Sequence, residues 1–192
     1  QEQIDLLAAL AGTGEQVAEI TERAMRGELD FEASLRARVA TLAGLADTAF
    51  EEVRGQVSFT PGALELLEHC AERGWPVALV SGGFHEIIDP LIADLPITYV
   101  RANRLEVDGG QLTGEVRGEV VDRAAKAAYL HEFASGEGVE LAETIAIGDG
   151  ANDLDMLAAA GLGVAFQAKP IVASEADLAL AGPRLDEVLA HL

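Results

Sequence analysis

Apolar residues recur at helical intervals from residue 2 to about 53, and in short unbroken runs beyond that. Ile4, Leu7, Ala8 and Ala11 share one helix face before Gly12-Thr13-Gly14 interrupts them. Val17, Ile20, Ala24 and Met25 mark a second helix ending near Gly27. Asp30 suits the N-cap of a third that carries Leu35, Val39 and Leu42. A fourth, short helix covers about Asp47 to Val53. Four such helices with brief connections predict a small bundle.

The rhythm changes after Gln56. Thr60-Pro61 reads as N-cap and first-turn proline of a helix with Leu64, Leu67 and Ala71 on one face and Gly74 at its end. Val77–Val80 is a continuous apolar run, as in a parallel strand buried on both faces. It leads into Ser81-Gly82-Gly83, and a helix from Phe84 that Pro90 should kink or interrupt. Ile97–Val100 is a further strand. Leu105–Val107 and Gln111–Thr113 flank Asp108-Gly109-Gly110, which predicts a hairpin. The rest alternates: a helix over about Asp122–Phe133, a strand Thr144–Ile147, a helix Asn152–Ala160, strands Gly163–Phe166 and Asp177–Leu180, and a helix from about Leu185. Strand–helix alternation predicts an α/β fold with a parallel sheet covered by helices on both faces. The expected division is a helical segment, 1–56, and an α/β core, 57–192.

Composition narrows the partners. The 192 residues are enough for one core with a small appended domain, and 49% hydrophobic content suits a globular chain. A net charge of −20 argues against nucleic-acid binding, which needs a basic footprint. No apolar stretch has the ~18 residues of a membrane span, so no membrane partner is expected. Residues 1–20 lack the basic start and apolar centre of a signal peptide. Cys70 is the one cysteine; it excludes an intramolecular disulfide and points to a reducing, cytoplasmic setting. The chain begins at Gln1 rather than Met, so its start is expected to be processed, trimmed or incomplete.

Chemistry concentrates at strand ends, where open α/β sheets place ligands. The fullest signal is Gly148-Asp149-Gly150-Ala151-Asn152-Asp153 after the apolar strand Ile145–Ile147. A carboxylate there suits Mg²⁺, which takes oxygen ligands and keeps waters and a substrate phosphate. Asn152 and Asp153 could instead be simple helix caps. Ser81-Gly82-Gly83 offers a hydroxyl and backbone N–H groups to phosphate oxygens, though alone it is an ordinary strand-to-helix turn. Lys126 can neutralise a phosphate, though a lone helix lysine is by default a solvated charge.

Taken together, Ser81, Lys126 and Asp149/Asp153 resemble, in order and spacing, the second, third and fourth motifs of the haloacid dehalogenase-like superfamily. Gly27-Glu28-Leu29-Asp30-Phe31, Ser34–Val39, Ala102-Asn103-Arg104 and Ala165–Pro170 are similar to its phosphoserine phosphatase branch. The resemblance implies a Rossmann-like sheet with a small helical cap, Mg²⁺ as cofactor and phosphoserine as small-molecule substrate. It implies catalytic roles for Ser81, Lys126, Asp149 and Asp153. Glu2 would meet the substrate ammonium and Arg38 its carboxylate; Met25 and Phe31 would form the apolar side of the cap. Ser81, Gly82, Gly83, Lys126 and Asn152 would hold the phosphate, and Asp149 the metal. Without that resemblance, Glu2 is a helix-start acid, Arg38 a solvated charge, and Met25 and Phe31 ordinary core.

One part of the pattern has no counterpart. The superfamily's first motif is an Asp-x-Asp whose first carboxylate attacks phosphorus and whose second protonates the leaving oxygen. The one Asp-x-Asp here, Asp153–Asp155, belongs to the fourth motif and is followed by Met156. By the family's spacing the first motif falls just before Gln1, on a strand in the middle of the sheet. The expectation is a hydrolase whose nucleophile lies outside these residues, inactive without it. A phosphotransferase to an alcohol such as homoserine and a non-catalytic phosphoserine-binding module stay open. P-type ion pumps share the Gly-Asp-Gly-x-Asn-Asp string, but no membrane segment accompanies it.

Overall fold

A computed structural model describes residues 2–192. The chain divides into two compact units. One comprises Gln1–Val57, Ser81–Asp94 and Ala102–Val120; the other comprises Ser58–Val80, Leu95–Arg101 and Val121–Leu192.

The first unit holds the predicted helices: α1 (Gln3–Ala11), α2 (Gly14–Met25), α3 (Phe31–Ala40) and α4 (Ala49–Arg54). Asp30 caps α3 by accepting from the Ala33 N–H at 2.7 Å. Ile4, Leu7 and Ala8 of α1 are buried with Val17, Leu35, Val39 and Leu42, so the helical periodicity read from the sequence is the core face. In the second unit α5 (Ala63–Glu72) precedes strand β1 (Ala78–Phe84), which runs on into the first; α6 (His85–Ile92) follows there. Strand β2 (Tyr99–Asp108) turns through Gly109-Gly110, with Asp108 paired to Gln111, into antiparallel β3 (Gln111–Arg117). Both glycines have positive φ, 57° and 79°, as a two-residue hairpin turn requires. Leu112 and Val116 alternate inward and join Leu105 in the core that holds Leu35 and Val39.

The second unit adds α7 (Arg123–Glu137), β4 (Ile145–Gly148), α8 (Leu154–Ala159), β5 (Leu162–Phe166), α9 (Pro170–Glu175) and β6 (Leu178–Leu180), and ends in a 3₁₀ segment, Leu185–His191. Strands β4, β5 and β6 are parallel, with Gly148 paired to Ala165 and Phe166 to Leu180. Ala146, Leu157, Ala165 and Val172 form its core. Among the described residues the strands make two three-stranded sheets, ordered β1-β2-β3 and β4-β5-β6. No helix among the described residues is long and apolar enough to cross a membrane.

Several local expectations are corrected. Thr60-Pro61 does not start α5. The Thr60 carbonyl accepts from the Ala63 N–H in a turn, and Gly62, at φ 83°, stands before the helix with Asp186 in the space a side chain would need. Leu64 is exposed rather than facing a core. Val77–Val80 is not buried on both faces, because β1 is an edge strand. The predicted strands 97–100 and 105–107 are one strand, β2, since Ala102-Asn103-Arg104 contains no breaker. The segment Ala151–Asp153 is 3₁₀, so the helix after β4 starts at Leu154. Pro90 lies inside α6 without ending it. The carbonyl that proline leaves without its helical donor, Glu86 O, accepts instead from Arg54 Nη1 at 3.4 Å.

Candidate active site

The predicted site residues fall into two sets, one in each unit. In the second unit the strand β4 delivers Asp149 immediately beyond its C-terminal end. Its carboxylate is exposed and has no hydrogen-bond partner among the described residues. Asp153 folds back over the loop. Its Oδ2 accepts from the Asp149 N–H at 3.1 Å and the Gly150 N–H at 3.0 Å, and its Oδ1 sits 2.6 Å from Lys126 Nζ. A side chain on Gly148 would collide with Asp153, its Cβ falling 2.5 Å from that of Asp153. Likewise Asn152 Oδ1 takes the space beside Gly150. The glycines of this motif therefore make room for Asp153, which braces the loop, and for Asn152 beside it.

Lys126 is not a solvated helix charge. It is 6% exposed and paired with Asp153, itself 4% exposed. It stands in the first turn of α7, which Asp122 caps by accepting from the Ala125 N–H at 2.7 Å. An ammonium has three donors, and the single recorded bond to Asp153 leaves two for an incoming anion. Asp153 and Asp155 both have partners already. Asp153 makes the three bonds above, and Asp155 pairs with Arg123, whose guanidinium holds the carboxyl below the usual range. Asp149 is the one acidic group here with an uncommitted carboxylate, and no cluster of three or more His, Cys, Asp or Glu side chains suited to a metal occurs among the described residues. A single exposed carboxylate beside a buried ammonium is a donor set suited to a hard cation that takes its other ligands from water and substrate.

In the first unit, Ser81-Gly82-Gly83 is not the turn expected from the sequence. It forms the last part of β1, and α6 begins only at His85. Gly83 is needed for space: a Cβ there would lie 2.5 Å from Gln3 Oε1, which accepts from the Phe84 N–H at 2.8 Å. The same helix start carries Glu2, and Glu2 Oε2 lies 3.4 Å from Arg38 Nη1. Arg38 is 8% exposed, and its Nε has no hydrogen-bond partner among the described residues. A buried guanidinium with one long contact and an orphaned donor is costly unless a further acceptor arrives. Phe31, at the start of α3, reaches Gly82; a Cβ on that glycine would be 3.9 Å from Phe31 Cζ. Met25 is 80% exposed, so ordinary core burial does not explain it. Glu2, Phe31, Arg38 and Ser81–Gly83 thus belong to one unit, linked through Gln3.

Two supports escaped the sequence. Gln3, at the start of α1, accepts from the Phe84 N–H and carries no motif signal. Asn103 is fully buried and donates through Nδ2 to the Gly82 carbonyl at 2.8 Å. The stretch Ala102-Asn103-Arg104 was the signal available for it. Cys70 has no part in either set, and burial pushes its thiol up, as for an inert cysteine.

A family model described as haloacid dehalogenase-like hydrolase matches residues 4–158. A phosphoserine phosphatase of Streptococcus thermophilus is 53% identical over 189 residues, 98% of this chain and 88% of that protein. One from Streptomyces coelicolor is 55% identical over 188 residues, where this chain spans only 46% of the relative's length. A substrate-bound phosphoserine phosphatase structure superposes with a TM-score of 0.90 at 43% identity, covering 100% of this chain and 91% of the other. The exposed Asp149, the buried Lys126–Asp153 pair and the orphaned Arg38 therefore sit in a chain that belongs to the haloacid dehalogenase-like hydrolases, on their phosphoserine phosphatase branch.

Proposed function

We propose that this chain carries the substrate- and metal-binding machinery of a Mg²⁺-dependent phosphoserine phosphatase, which converts O-phospho-L-serine to L-serine and phosphate through an aspartyl-phosphate. The observation that supports it most is Arg38: a nearly buried guanidinium with an unpaired Nε, beside a carboxylate. An α-amino acid presents a carboxylate and an ammonium a few ångströms apart. Arg38 takes the carboxylate and Glu2 the ammonium, each through charge-assisted hydrogen bonds. Phe31 and Met25 supply apolar surface against the short side chain.

Ser81 and the Gly82 and Gly83 backbone bind phosphoryl oxygens. Lys126 offsets charge that develops on the phosphoryl group during transfer. Asp153 holds Lys126 in place and fixes the Asp149 loop through two backbone bonds. Asp149 would hold Mg²⁺, which when bound would polarise a phosphoryl oxygen and offset its charge. None of the acids of this loop serves as the attacking carboxylate: Asp153 and Asp155 are engaged and Asp149 serves the metal.

Calorimetry with phosphoserine and Mg²⁺ tests this reading. Residues 1–192 are expected to bind phosphoserine without releasing phosphate. A protein in which an Asp-x-Asp loop precedes this chain is expected to release both serine and phosphate. Phosphate release by residues 1–192 alone overturns the assignment of the nucleophile. Transfer to an added alcohol in place of water identifies a phosphotransferase instead.

A further inference from the structure

The peptide between Gly82 and Gly83 is held at both ends. Its carbonyl oxygen accepts from Asn103 Nδ2 at 2.8 Å, and its N–H donates to Ser81 Oγ at 3.0 Å. A peptide is planar, so fixing the oxygen fixes the direction of the N–H. Because Ser81 Oγ is occupied as an acceptor by that N–H, the proton of its hydroxyl is left to point elsewhere, and it has no acceptor among the described residues. Three groups therefore form a one-way chain: amide donor, peptide, hydroxyl. Each bond in such a chain polarises the next.

Asn103 is itself held in register. The N–H of Ala102, the preceding residue, donates to His85 Nε2 at 3.1 Å, while His85 Nδ1 lies 2.8 Å from Asp89 Oδ1. Since Nε2 accepts, Nδ1 carries the ring proton and Asp89 receives it. Asn103 is fully buried on β2, and a leucine of similar size would fill the same volume without the amide donor.

We propose that Asn103 is a positioning residue that makes Ser81 a hydrogen-bond donor to phosphate, acting through the Gly82–Gly83 peptide. This rests on the reading of Ser81 as a phosphate ligand. The test is a double-mutant cycle, with inorganic phosphate and Mg²⁺ as the probe and calorimetry as the readout. Asn103→Leu is expected to weaken phosphate binding about tenfold when Ser81 is present, and less than about twofold in the Ser81→Ala background. Equal losses in both backgrounds make Asn103 a purely structural residue and overturn the proposal. If phosphate binding is absent from the unaltered chain, or is unchanged by Ser81→Ala, the reading of Ser81 fails first and the proposal with it.

A residue that only supports the fold shifts thermal unfolding equally in both backgrounds and leaves the coupling at zero. Should Asn103→Leu not fold, Asn103→Ser takes its place, a hydroxyl too short to reach the carbonyl. Hydrogen exchange at the Gly83 amide gives an independent check without any ligand. Protection that falls at least about tenfold on Ser81→Ala supports the relay, and protection unchanged by that substitution overturns it.

Discussion

Arg38 and Lys126 are both cations taken out of water, and they differ in how completely the protein answers them. Lys126 meets the Asp153 carboxylate at 2.6 Å; among the described residues Arg38 meets only Glu2, at 3.4 Å, and its Nε has no partner. Removing one half of a buried pair strands the other charge, so Lys126→Met is expected to destabilise the chain by about 3–5 kcal/mol. Urea unfolding measures this, and a loss under about 1 kcal/mol would mean the pair is not buried in solution. Arg38→Met predicts the opposite balance. It removes an underpaid cation, so stability changes little, while affinity for phosphoserine falls about tenfold or more, the weight of a hydrogen bond between charged groups. Affinity for inorganic phosphate, which has no α-carboxylate, is expected to stay within about twofold. Parallel calorimetric titrations with the two ligands separate these outcomes.

Among the elements, α7 has the most to do with the site, since its first turn carries Lys126. Asp122 starts it by accepting the Ala125 N–H, and Gly138 closes it with φ 68°. Asp122→Ala is expected to cost about 1 kcal/mol in chemical denaturation. It is also expected to loosen Lys126, so phosphate affinity falls with stability rather than independently of it. Helix α6 shows the converse, an element that survives its own sequence. Pro90 removes a helical donor, and a side chain from α4 supplies a replacement to the Glu86 carbonyl. Strand β1 shows how one element can serve two ends: its first residues are half-exposed at a sheet edge, while its last ones, Ser81–Phe84, are gripped by Gln3 and Asn103.

At the scale of the whole molecule, acidic surface dominates, with a net charge of −20. Some of that acid is locally compensated. Arg184 bonds to Glu65 and Asp186, holding both carboxyls below their ordinary values while its own guanidinium is raised. A carboxyl held low in the folded state contributes stability in full above its ordinary value, about 4, and loses it as pH falls through the lowered one. Arg184→Gln is therefore expected to lower Tm at pH 7 by a small amount, since these pairs are exposed. The gap between variant and parent should close as pH drops below about 4. Thermal melts over that range check it, and a gap that widens on acidification would contradict the assignment.

The elements were largely legible in the sequence because their signals are local. Helix α3 was visible in Asp30 and the spacing of Leu35, Val39 and Leu42, and the β2–β3 hairpin in Asp108-Gly109-Gly110, since caps, periodicity and turn glycines act over a few residues. The Asp149 loop was legible for the same reason, as an apolar strand followed by Gly-Asp-Gly. What only the tertiary structure decided was which side chains are dry and which backbone groups find partners. Lys126 and Arg38 look like surface charges until distant segments close over them, and Asn103 has no visible purpose until β2 lies beside Gly82. Even the secondary structure of Ser81-Gly82-Gly83 depended on this, because it is a strand by pairing with β2, a segment far away in the chain. Burial and hydrogen-bond completion are set by contacts across the fold, and no window of neighbouring residues contains them.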